Sequence, residues 1–129
     1  MTSTRLVHHE LCFGCGRTNL FGLLMDVEQT GEGRVSARAF IKQDHQGPER
    51  GAAHEGVVAA ALSDAMSLAC GHQMRARSIE VQLQDSVPIG AFLSVEATVH
   101  ERADGGCRAS AIAAVDEHRV ASARGDYAR

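Results

Sequence analysis

The sequence predicts an α+β domain in which one long helix packs on an antiparallel sheet, and three observations predict it. Only one stretch, from Gly56 to about Cys70, loses the strand-like alternation and carries apolar residues at helical spacing. Period-two alternations stand on both sides of it. The alternations after it are joined by turns too short for crossover helices, which requires antiparallel pairing.

The elements follow in order. Residues 1–19 are polar and irregular and end in a Cys12-Phe-Gly-Cys15 segment. Leu23, Met25 and Val27 then alternate, and Thr30-Gly-Glu-Gly gives a turn. Val35, Ala37, Ala39 and Ile41 share one face of a second strand, and residues 42–53 read as a loop. Gly71 closes the helix. Beyond it, Ile79, Val81 and Leu83 form one alternation, and Leu93, Val95, Ala97 and Val99 form another after Pro88 and Gly90. Asp104-Gly-Gly is a hairpin-type turn. Arg108–Val115 and Val120–Tyr127 complete a sheet of about five or six strands. A sheet of this size around one helix leaves edges to cover, so pairing with a second subunit is expected.

Composition narrows the class. The 129 residues, 44% hydrophobic and 22% charged, make one domain over 1–129. The net charge of −3 and the lack of any basic cluster argue against nucleic acid as a partner. No apolar run reaches the length of a membrane span and no leader-like segment opens the chain, so a cytoplasmic protein is expected. Cys70 and Cys107 stand alone and far apart, so all four cysteines are expected to remain thiols.

The helix carries three stripes. Val58, Leu62, Ala65 and Ala69 are wholly apolar and fit against the sheet. Gly56, Ala60, Ser63 and Ser67 are all small and admit another backbone or a slim ligand. The stripe between them contains a single acid, Asp64. Asp64 reads either as an edge residue reaching solvent or a backbone partner, or as a desolvated general base. At the helix start, His54-Glu55-Gly56 offers unpaired amides and a positive dipole end, which suit a developing oxyanion. Gly56 allows close backbone approach to a ligand.

Residues 51–66, Gly-Ala-Ala-His54-Glu55-Gly56-Val57-Val58-Ala-Ala-Ala-Leu-Ser63-Asp64-Ala-Met, resemble the signature of the hotdog-fold acyl-CoA thioesterases, the 4-hydroxybenzoyl-CoA and phenylacetic-acid-degradation types. Cys12-Phe-Gly-Cys-Gly, with its following Asn and Gly-Leu, and the segment Val87-Pro-Ile-Gly-Ala-Phe-Leu are similar to two further parts of that superfamily. The similarity spans about residues 12–127. It implies a helix wrapped by a curved sheet, a homodimer or dimer-of-dimers, and active sites between subunits with coenzyme A as part of the substrate. The turn His54-Glu55-Gly56 would supply a backbone N–H to the thioester oxygen, Gly56 and Val57 would contact the substrate, and a carboxylate from the partner's helix would activate water or attack the carbonyl. No cofactor and no metal are implied.

One departure has consequences. The family's acid falls nine residues after the histidine, where this chain has Ser63, and Asp64 follows at the next position. One residue is about 100° around a helix. Three arrangements fit: a rotated or bulged helix that aims Asp64 at the site, Ser63 positioning water for another base, or weak or absent hydrolysis. Glu55 is a substitute carboxylate.

His9-x-x-Cys12-x-x-Cys15, with His8 beside it, has the residue types for zinc but lacks a second ligand pair, which a lone histidine could supply in three dimensions. The preferred reading is a metal-free loop with thiols packed near the tunnel mouth. Arg50, Arg75 and Arg77 flank the helix and could meet the phosphates of coenzyme A, Arg75 and Arg77 foremost, with plain solvated charge the preferred reading. No phosphate loop, nucleophile elbow or His-Glu-x-x-His site is present. The reaction expected is hydrolysis of an acyl-CoA thioester, with Asp64 and Ser63 at the water. The alternatives are a non-catalytic acyl-CoA or acyl-carrier sensor, and a hydratase or dehydratase using His54 with a carboxylate.

Overall fold

The computed structural model describes residues 4–129. The one α-helix among the described residues, α1 (Glu55–Cys70), begins where His54 leaves the helical conformation and its Nδ1 accepts the Gly56 amide at 2.8 Å. It ends at Gly71, whose φ of +146° a side chain would disfavour and whose amide donates to Ser67 O. Arg102 adds a charge-assisted cap there, donating to the carbonyls of Cys70 and Ala69 at the negative end of the helix.

The strands are β1 (Thr4–Leu6), β2 (Asp26–Gly31), β3 (Arg34–Phe40), β4 (Arg75–Leu83), β5 (Phe92–Ala103), β6 (Gly106–Val115) and β7 (His118–Ala128). They form one antiparallel sheet in the order β1-β2-β3-β5-β6-β7-β4, curved around α1. The stripe Val58, Leu62, Ala65 and Ala69 is buried, as its periodicity requires. Opposite lie Val35, Ala37, Val95, Ala97, Ala109, Ala111 and Ala123 from the strands, all buried in the same core. So many alanines on the sheet face let the helix backbone sit low over it.

The sheet has seven strands rather than five or six. The extra one is Thr4–Leu6, inside the stretch read as irregular, where it adds to β2 with Leu6 opposite Val27. Three residues are too few for alternation to show. Residues 1–3 lie outside the description. Leu23 and Met25 are buried before β2 begins, so the apolar alternation there starts in irregular chain. The loop 42–53 includes a short 3-10 turn at Gln43–His45.

A second correction concerns the cysteines. Cys70, at the end of α1, and Cys107, at the start of β6, are joined by a disulfide with Cα atoms 5.9 Å apart. Thirty-seven residues separate them in sequence, and only the fold makes them neighbours. Cys12 and Cys15 are free.

β4 forms the far edge of the sheet. Its ladder partner is β7 alone among the described residues, and every residue except Val81 is exposed. Ile79 and Leu83 stand 42% and 49% exposed on it. Among the described residues, no helix is long and apolar enough to cross a membrane.

Candidate functional site

A groove of about 580 Å³ runs along the middle of α1. Ala60, Ser63, Asp64 and Ser67 form its floor, Tyr127 of β7 closes one side, and the loop carrying His8 to Gly14 closes the other. Ala60, Ser63 and Ser67, three of the four residues of the small stripe, leave this space, whereas Gly56 does not line it.

Ser63 and Asp64 both reach the groove, on opposite sides. Tyr127 donates its hydroxyl proton to the Ser63 carbonyl at 3.1 Å. The Ser63 hydroxyl must then donate to Tyr127 Oη, 2.9 Å away, which leaves Ser63 Oγ as an acceptor only. Burial pushes the Tyr127 phenol above its ordinary value, the Ser63 hydrogen bond opposes this, and the charge of Asp64 adds to it.

Asp64 turns the other way, into the N-terminal loop. Its Oδ1 lies 3.1 Å from His8 Nδ1 and accepts from Cys12 Sγ at 3.2 Å. Its Oδ2 is buried and has no hydrogen-bond partner among the described residues. Cys15 Sγ completes the group, 3.4 Å from His8 Nδ1, and accepts the His8 amide at 3.2 Å. Burial drives the Cys15 thiol well above its ordinary value, against the His8 amide and with the charge of Asp64. Gly14 presses directly on the carboxylate: a Cβ there would sit 2.5 Å from Asp64 Cγ.

The other sequence-predicted residues separate into three places. His54, Glu55, Gly56 and Val57 lie at the start of α1, with His54 ten residues before Asp64 and about 15 Å from it along the axis. The Gly56 amide is already taken by His54 Nδ1. Glu55 lines a different cavity with Leu83 and Asp85. Arg75 borders the groove, whereas Arg77 lies elsewhere and donates to the Arg129 carbonyl, and Arg50 is an exposed loop residue. One chain therefore holds the two halves of the expected machinery apart.

Tyr127 is a member of this site that the spacing of residues does not reveal, whereas Ser67 stands on the small stripe. Tyr127 is the sole tyrosine of the chain and closes an apolar strand face, a signal that was available. The spacing His9-x-x-Cys12-x-x-Cys15 points to His9, but the loop turns His8 inward, and His9 stays exposed with its Nδ1 accepting the Leu11 amide.

No protein-family model matches the sequence, and no curated protein sequence matches it. Solved structures do match in shape. The PaaI protein from the phenylacetic acid degradation operon of E. coli superposes with a TM-score of 0.76 at 18% identity, over 83% of this chain and 80% of that one. This chain has the hotdog fold. The hotdog domain also matches thioesterase superfamily member 2 of zebrafish, with a TM-score of 0.72 at 14% identity, over 81% and 80% of the two chains. A phenylacetic acid degradation-related protein of Ralstonia eutropha gives 0.75 at 16%, over 83% and 86%.

Proposed function

We propose that this hotdog domain hydrolyses an acyl thioester of the acyl-CoA class. The observation that carries the reading is the groove at the midpoint of α1, lined by Ser63, Asp64 and Tyr127 beside small residues, on a fold shared with proteins described as thioesterases. The acyl carbonyl lies over Ser63 and Asp64. Asp64 activates water, and Ser63 Oγ, limited to accepting by its bond to Tyr127, orients that water. The carbonyl oxygen is polarised by the positive dipole end of a helix start. Because His54 and Asp64 of one chain lie about 15 Å apart along α1, that helix start belongs to a second copy. The free edge β4, exposed along its length, supports a homodimer that continues the sheet. Arg75 at the groove rim is placed to meet a phosphate of coenzyme A.

The test is chromatographic separation of free coenzyme A after incubation with short, long and aromatic acyl-CoAs. Release that Asp64→Asn lowers by about 10²-fold or more supports the reading; intact thioester throughout overturns it.

A second reading, binding without turnover, is favoured by the way Asp64 is held. Its Oδ1 is engaged by His8 and Cys12, and its Oδ2 is closed off against Gly14. An acyl-CoA that raises the melting temperature while remaining intact identifies this case.

A further inference from the structure

We propose that His8 Nδ1, Cys12 Sγ, Cys15 Sγ and Asp64 Oδ1 bind one zinc ion that ties the N-terminal loop to the middle of α1. The four donor atoms lie within 4.8 Å of one another. A tetrahedral zinc with bonds of about 2.0 Å to nitrogen and oxygen and 2.3 Å to sulfur places its ligand atoms roughly 3.3–3.8 Å apart. Four of the separations here are 3.1, 3.2, 3.4 and 3.6 Å, so the donors need to move by only a few tenths of an ångström along these edges.

The donors are also oriented. Ser67 Oγ donates its single proton to Met74 O at 2.8 Å. The same oxygen lies 2.9 Å from His8 Nε2 and can only accept there, so the imidazole carries its proton on Nε2. In the neutral ring this leaves the lone pair on Nδ1, the nitrogen that faces Asp64, Cys12 and Cys15. An outer partner that fixes the tautomer and plane of the ring is what a metal-binding histidine requires. The His8 amide pointing at Cys15 Sγ does the same for a thiolate, whose charge it would stabilise.

Burial supplies the independent observation. The side chains of His8 and Asp64 are only 16% and 10% exposed, and Cys15 is fully buried. Asp64 Oδ2 sits in this environment with no hydrogen-bond partner among the described residues, and a cation on the same carboxylate would offset the cost of burying its charge. Two thiolates, an imidazole and a carboxylate select zinc over the hard cations magnesium and calcium. Four protein donors close the coordination sphere, as in structural sites. This assignment takes the place of the metal-free reading of the loop, and it does not depend on the thioesterase reading. The two meet at one atom, because the ion and a groove water compete for Asp64.

The experiment uses the full chain purified under reducing conditions, stripped by a chelator and titrated with cobalt(II) as a spectroscopic stand-in for zinc. The expected result is one ion per chain, with thiolate charge-transfer bands and the visible bands of tetrahedral cobalt, all displaced by zinc. Cys12→Ser removes a charge-transfer contribution. Ser67→Ala, which leaves every donor in place but frees the His8 ring, weakens binding roughly 10–100-fold. A folded chain, shown by circular dichroism, that takes up no stoichiometric cobalt or zinc overturns the proposal. So does a cobalt spectrum unchanged in Cys12→Ser. Should Cys12→Ser fail to fold, Ser67→Ala decides: equal affinity in that variant and the parent also overturns it. Turnover plays no part in these readouts, so their failure is distinct from failure of thioester hydrolysis.

Discussion

Tyr127 and Ser63, sixty-four residues apart in sequence, are joined by two hydrogen bonds, one to the serine carbonyl and one from its hydroxyl. The pair pins the last strand to the middle of α1, and neither group is freely solvated. Tyr127→Phe leaves both serine oxygens without this partner. It is expected to cost about 1–2 kcal/mol, read as a lower urea midpoint at unchanged slope. No change in midpoint would mean that water replaces the phenol without loss.

Gly14 has no room for a side chain, because a Cβ there would lie 2.5 Å from Asp64 Cγ and 2.7 Å from Oδ2. Gly14→Ala is expected to push the loop away from α1 and destabilise the chain by about 1–3 kcal/mol. Zinc uptake should weaken in parallel. Thermal denaturation with and without zinc measures both, and a variant with parental stability and uptake would show that the loop shifts freely.

The Cys70–Cys107 bond restrains a long loop of the unfolded chain. Chain entropy puts its contribution at about 3–4 kcal/mol. Alkylation of the unreduced, unfolded, metal-stripped protein should label two cysteines, and four after reduction. The reduced protein should unfold at a distinctly lower urea concentration. Four labels without reduction would contradict the bond.

Ile79 stands exposed on the open edge β4. In the proposed dimer this edge is covered, so Ile79→Lys should yield a monomer while leaving the isolated fold intact. Light scattering after size exclusion distinguishes the two masses. A dimer that survives Ile79→Lys together with Leu83→Lys would move the interface elsewhere.

Much of the fold was legible because one buried face imposes a period. The stripe Val58, Leu62, Ala65 and Ala69 and the strand face Leu93, Val95 and Ala97 are buried as their spacing demands. Thr4–Leu6 was not, since three residues on a sheet edge need no apolar pattern. The disulfide was hidden for a different reason: helix end and strand start become neighbours through packing, and sequence separation carries no trace of it. The candidate site was half legible. Ser63 and Asp64 mark the groove, but a helical projection only separates their directions by about 100°. That each finds its own partner, Tyr127 on one side and the His8 loop on the other, depends on elements more than fifty residues away in sequence. The choice of His8 over His9 turns on the path of that loop, which spacing leaves undetermined.

The distance along α1 between His54 and Asp64 has a genetic consequence. If each reaction centre draws its helix start from one copy and its carboxylate from the other, two crippled chains can rescue each other. A chain with His54→Ala and a chain with Asp64→Asn are each defective in both centres of their homodimers. Co-expressed, they form a heterodimer with one centre doubly damaged and one wholly intact. Activity reappearing in the mixture, and lost again when the chains are separated, is complementation between alleles of a single gene.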